Sequence, residues 1–226
     1  MSTRFFTNED KNTLLQKFKG IFENNQDIDF FDALVGYFRA SGYFKIRPFL
    51  EKVPNIRILV GIDVDKILAK YQSKGLLFQG DANQTLVEFL SEIKSDIQES
   101  EYSEEIENGI LQFIEDIATK KIEIKAHPSK KLHAKIYIFR PQGWNEHKNG
   151  SVITGSSNLT ENGLGESDSF NYEFNVLLHY YEDVKFATEE FERLWKEGIS
   201  ILPVEITKIK KETYLNDEYT PFEVYM

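Results

Sequence analysis

The chain has 226 residues, 41% of them hydrophobic and 14% aromatic; this is enough apolar material for a sizeable core and excludes an intrinsically disordered protein. It contains no cysteine, which excludes disulfides and thiolate metal sites and leads us to expect a reducing, cytoplasmic setting. The net charge of −10 argues on its face against a polyanionic partner, and no apolar run is long enough for a signal peptide or a membrane span, so no membrane contact is expected.

The first predicted element is a helix. Leu14, Leu15, Phe18, Ile21 and Phe22 recur at helical spacing, with Thr7 or Asn8 as the expected cap. Residues 28–38 are rich in Phe, Val and Tyr and read as a buried strand, which runs through Arg39 and Gly42 into a helical stretch ending near Leu50. Residues 56–62 form a second apolar strand closed by Gly61 and Asp63. Strand, helix, strand at this spacing is a βαβ unit and favours a parallel pair.

Residues 64–120 read as helices, with one stripe at Leu86, Phe89, Leu90 and Ile93 and another at Ile106, Ile110, Phe113, Ile114 and Ile117. Strands follow at 122–124, 134–139, 151–154 and 172–178, then a helix over 182–198 that stops at Gly198. The expected fold is one α/β domain over residues 1–202: a mixed, largely parallel β-sheet flanked by helices on both faces. Residues 203–226 are charged and aromatic and read as a tail.

Charge is unevenly spread. Residues 92–107 carry seven acids against Lys94, most simply a solvated helix, whereas Lys120, Lys121, Lys125, Lys130, Lys131 and Lys135 crowd the stretch before and around His133. His133 and Lys135 are two apart on a predicted strand and leave the same face, while Ile136 and Ile138 alternate with them toward the core. The next strand ends in Gly155-Ser156-Ser157-Asn158, and Glu173 stands at the start of the strand after it. Three neighbouring strands thus offer an imidazole, an ammonium, a hydroxyl, an amide and a carboxylate to one sheet edge.

Phosphodiester cleavage needs such a set. An imidazole can attack phosphorus, an ammonium and an amide can stabilise charge on the non-bridging oxygens, and a carboxylate can fix the imidazole tautomer. His127 and His147 lack such company and read as surface residues; His179 reads as a strand-end residue. Trp144 reads as loop and Trp195 as core, and Phe38 and Arg39 end a strand close enough to the set to contact a substrate. No two of the four His fall at ligand spacing with a carboxylate, so neither a metal nor another cofactor is expected.

The run His133-x-Lys135, Gly155-Ser156-x-Asn158 and Asn171-x-Glu173 resembles the HKD signature of the phospholipase D superfamily, and within it the single-motif nuclease branch. The motif-bearing region is 121–178. The resemblance implies His133 as nucleophile, Lys135 and Asn158 as phosphate ligands, Ser156 as an auxiliary hydrogen-bonding group and Glu173 as the acid that orients His133. Lys130, Lys131 and Arg140 are the expected nucleic-acid contacts. Two departures stand out: the acidic position of the signature falls on Arg140, and the segment 141–149 is longer than the compact family pattern.

Because the family builds one site from two motifs and this chain has one, a homodimer is implied. A weaker resemblance links residues 219–226 to the segment that leads into a superfamily-two helicase in some bacterial proteins, which implies a helicase region in the same polypeptide. The expected function is metal-independent cleavage of DNA through a phosphohistidine. The alternatives are a degenerate nucleic-acid-binding or dimerisation module of a helicase, which Arg140 favours, and, third, a lipid phosphodiesterase.

Overall fold

Strands β2 (Ile28–Val35), β3 (Asn55–Val60) and β5 (Lys135–Pro141) are apolar on both faces, the pattern of strands covered on both sides. In the computed structural model, which describes residues 4–9, 12–61, 73, 82–99, 104–128, 132–166 and 171–202, they form the middle of an eight-stranded sheet. Its other strands are β1 (Phe5–Thr7), β4 (Glu123–Ala126), β6 (Ser151–Gly155), β7 (Phe174–Leu178) and β8 (Ile199–Ser200), in the order β1-β7-β6-β5-β2-β3-β4-β8. Lys130, Lys131 and the tail from residue 203 lie outside the described residues.

The sheet is mixed, as expected, but its balance is reversed. Only β2–β3 and β3–β4 run parallel; the other five pairings are antiparallel. Both parallel pairs are joined by helical crossovers. The chain returns from β5 to β6 and from β6 to β7 without crossing a face, which requires antiparallel pairing.

One face of the sheet carries α1 (Leu14–Asn24), α2 (Ala40–Ile46) with a following 3-10 turn (Arg47–Leu50), α3 (Ala82–Glu99) and α4 (Glu104–Ala118). Its core is aromatic: Phe18 meets Tyr137 and Phe139 edge-on, with ring centroids 5.1 and 5.4 Å apart. A short helix, α5 (Glu161–Leu164), follows β6. On the other face α6 (Tyr181–Glu197) packs Val184, Phe191, Leu194 and Trp195 over Leu34, Leu59, Ile138 and Val152. Ile138 does point into a core, as expected, but Tyr137 and Phe139, on Lys135's face, point into the larger one.

Several local expectations change. The segment before α1 is the edge strand β1, paired with β7, and Thr13 is the cap, its hydroxyl accepting from the Gln16 N–H at 3.3 Å. The Thr7 hydroxyl instead accepts from the Glu9 N–H. His127 is fully buried rather than at the surface, its ring 3.2 Å from Glu197 of α6. Trp144, in the loop between β5 and β6, stacks on Tyr181 with centroids 4.8 Å apart, which folds that long connection against the start of α6.

Beneath α6 lies a buried ionic cluster. Asp32 of β2 is wholly inaccessible and accepts from Arg57 Nε of β3 and from Arg140 Nη2 of β5, both at 2.6 Å. Arg57 also reaches Glu192 of α6 at 2.6 Å and lies over the Phe191 and Trp195 rings. Each carboxylate oxygen of Asp32 therefore has a charge-assisted bond, the condition under which a buried charge is tolerated.

Candidate active site

Antiparallel pairing brings the start of β5, the ends of β2 and β6 and the start of β7 to one edge of the sheet. Val35 faces Lys135, Ile136 faces Thr154, and Gly155 faces Asn175. Residues 132–134 cross this edge close to the ends of β2 and β3. A Cβ on Gly36 would lie 2.8 Å from the Leu132 carbonyl oxygen, and one on Gly61 only 2.6 Å from the same atom. Those two glycines let the backbone of His133 settle beside Tyr37. Gly155 serves β7, since its Cβ would meet Asn175 and the Phe174 carbonyl at 2.4 Å.

His133 is exposed and its ring bonds no described residue. Lys135 is only 3% exposed, and its ammonium donates to the His133 carbonyl at 2.8 Å. It forms no ion pair with a described residue. Burial lowers its pKa, and the nearby Glu173 charge partly opposes this. The Tyr137 hydroxyl, one position further along this face, has its pKa raised by burial and by the same Glu173 charge.

Ser156 donates to the Glu173 carboxylate and accepts from the Phe174 N–H at 3.0 Å. Glu173 is thus bonded to Ser156 and not to His133, where the resemblance implies it. Its backbone N–H donates to Asn8 Oδ1 at 2.9 Å, and Asn8 Nδ2 donates to the Asn171 carbonyl at 2.7 Å. Asn8, read in the sequence as a helix cap, is a buried clamp on the Glu173 segment. The Asn158 side-chain oxygen accepts from the Tyr37 N–H at 3.0 Å. That bond leaves its NH2, a pure donor suited to an anion. Ser157 and Asn175 bond each other beneath the edge, and Tyr137 donates to the Ser157 carbonyl at 2.9 Å.

Beside this cluster lies an open cleft of about 430 Å³, lined among others by Tyr37, Arg39, Asn158, Asn171 and Glu173. Neither His133 nor Lys135 lines it; they stand next to it, across Gly36 from Tyr37. The edge thus gathers His133, Lys135, Ser156, Asn158 and Glu173. Sequence reasoning missed Tyr37 and Asn8, whose partners lie 121 and 163 residues away.

Arg140 is elsewhere. Five residues along β5 from Lys135, a span of roughly 16 Å, it projects to the opposite face and bonds Asp32. The expected nucleic-acid contact is therefore a guanidinium committed to a buried acid. Where the signature has an acid on this strand, the acid stands one strand over, at Asp32.

Among the described residues no group of three or more His, Asp or Glu side chains has the spacing to hold a metal ion, and no helix is long and apolar enough to cross a membrane.

The fold is similar to that of the phospholipase D family member Nuc from Salmonella typhimurium, with a TM-score of 0.50 and 11% identity, covering 89% of this chain and 98% of that one. NucT from Helicobacter pylori is similar at a TM-score of 0.42 and 11% identity, covering 87% and 97%. Phosphatidylserine synthase from Haemophilus influenzae is similar at 0.49 and 14% identity, covering 92% of this chain and 44% of that one. No curated protein matches the sequence. The family model described as the phospholipase D-like domain of cardiolipin synthase matches residues 56–195, more than half of the chain and all of the His133–Glu173 cluster, so this chain belongs to the phospholipase D-like domain family.

Proposed function

We propose that this protein is a metal-independent phosphodiesterase that cleaves DNA through a phosphohistidine formed on His133. The observation that carries this reading is the convergence of His133, Lys135, Ser156, Asn158 and Glu173 at one sheet edge of a phospholipase D-like fold. The position of Arg140 supports activity. The departure from the signature lies on the other face and is neutralised by Asp32, so it leaves the charges at the catalytic edge untouched. Lys130 and Lys131, in the lysine-rich stretch before His133, support a nucleic-acid substrate and are proposed as further contacts to its backbone.

In this reading an imidazole nitrogen of His133 attacks phosphorus, a P–N bond forms and the P–O bond to the leaving oxygen breaks. Lys135 and the Asn158 amide N–H donate to the non-bridging oxygens as charge builds on them. The leaving oxygen takes a proton from a second imidazole, the partner subunit's His133, supplied by a two-fold homodimer. Water then attacks phosphorus, gives a proton to that imidazole, and releases His133.

The test is cleavage of plasmid and oligonucleotide DNA in excess EDTA, beside a phospholipid substrate. DNA cleavage that survives the chelator and disappears in His133→Ala supports the proposal. Hydrolysis of the lipid alone overturns the choice of substrate.

A further inference from the structure

The cleft beside the catalytic cluster has a wall that the cleavage chemistry does not use. Tyr37 sits at the end of β2 with 37% of its surface exposed. The Arg39 guanidinium lies 5.6 Å from the centre of the Tyr37 ring, and its Nε donates to the Tyr37 hydroxyl at 3.1 Å. Both side chains line the cleft together with Asn158 and Glu173.

The pair is held rigidly. The Tyr37 N–H is bonded to Asn158, the Arg39 N–H donates to the Leu159 carbonyl at 3.1 Å, and Phe38 between them bridges to Leu159. Phe38 is buried against Phe113, with ring centroids 5.5 Å apart. The loop therefore cannot move away from Asn158 without opening the core. An aromatic face braced by a guanidinium is fixed beside a proposed phosphate ligand, at the mouth of a cleft large enough for a nucleotide.

We propose that Tyr37 and Arg39 form a platform on which an unpaired base of the substrate stacks, next to the phosphate to be cleaved, so that the protein prefers single-stranded over duplex nucleic acid. This rests on the nucleic-acid reading above. The chemistry favours a base over a lipid headgroup: a guanidinium beside the ring repels a quaternary ammonium, whereas it stacks with a neutral base and attracts the next phosphate. In a duplex both faces of each base are already stacked, so the platform gains a ligand only where the strand is open.

The experiment measures binding of a fluorescent 15-nucleotide oligothymidine and of a hairpin duplex, by anisotropy at several salt concentrations, in a His133→Ala background that prevents cleavage. Tyr37→Leu should weaken single-strand binding about tenfold or more, the size of one lost base–aromatic stack, and change duplex binding much less. Tyr37→Phe, which keeps the ring, should retain single-strand binding and so separate stacking from misfolding. Arg39→Gln should lower the salt dependence by about one phosphate contact.

Equal losses on both ligands in Tyr37→Leu, or no loss on either, overturn the platform. Hydrolysis of bis(p-nitrophenyl) phosphate by the unaltered protein is measured in parallel. Hydrolysis with no Tyr37 effect on binding refutes the platform and leaves the enzyme reading intact. Single-strand binding that depends on Tyr37 without any diester hydrolysis supports the platform and refutes the enzyme reading.

Discussion

Strand β5 carries a cation at each end, Lys135 buried and Arg140 partly so, and the two are handled differently. Arg140 shares the inaccessible Asp32 with Arg57, and its charge is answered inside the fold. Lys135 is more deeply buried, yet among the described residues it donates only to a backbone carbonyl, with Glu173 acting on it through space. A buried cation without a bonded counter-ion costs stability unless something supplies the anion. The contrast supports Arg140 as part of the architecture, and it supports the proposal that Lys135 receives an incoming anion, for which a phosphodiester has the right charge.

Removing each cation tests this contrast. Lys135→Ala should reduce diester cleavage on the order of 10²–10³-fold, the usual loss of a group that stabilises developing negative charge, with little change in melting temperature. Arg140→Met should do the reverse. A cleavage defect in Arg140→Met that matches that of Lys135→Ala would erase the distinction between the two ends.

The next effect is on stability alone. Asp32→Ala leaves Arg57 and Arg140 facing each other without their shared acid and should cost about 3–5 kcal/mol in urea unfolding. Arg140→Met, which leaves Asp32 still bonded to Arg57, should cost less, about 1.5–3 kcal/mol. A cost under about 0.5 kcal/mol for Asp32→Ala, the range of ordinary surface changes, would show that the cluster is solvated rather than buried.

These partnerships mark where the sequence stops being legible. The His133–Lys135, Ser156–Asn158 and Glu173 spacings are readable as a signature, but the expected strand-face placement is not what the fold uses. His133 precedes β5, Ser156 and Asn158 follow β6 and Glu173 precedes β7, and only Lys135 lies on a strand. The contacts of Asp32 are not readable, because residues 28–35 look like one apolar run and the two arginines come from other strands. Strand β1 is three residues long and is defined only by its pairing with β7 near the other end of the described chain, so local reading merges it into the helix that Thr13 caps. His127 reads as a surface residue because α6, which covers it, supplies Glu197 from 70 positions later.

The parallel bias fails for a similar reason. One βαβ unit is visible in sequence, while the return paths of β5, β6 and β7 are not.

A smaller, pH-dependent effect sharpens the comparison. The pKa of Lys135 in the folded protein lies below its unfolded value of about 10.4. Between those two values the unfolded chain binds more protons, and stability rises with pH. Lys135→Met removes this penalty, so it should be neutral or slightly stabilising at pH 7, with the gap to the unaltered protein narrowing toward pH 10. Urea melts at the two pH values measure it, and a gap that widens with pH would contradict the assigned cause.

The central claim is that His133 takes the phosphoryl group itself. Its most direct test is to incubate the protein with end-labelled DNA in EDTA, quench under alkaline conditions, and map the labelled peptide. The account predicts a DNA–protein adduct on His133, stable to base, released by mild acid and missing from His133→Ala. Unchanged cleavage by His133→Ala, or complete loss of cleavage in EDTA, would contradict it.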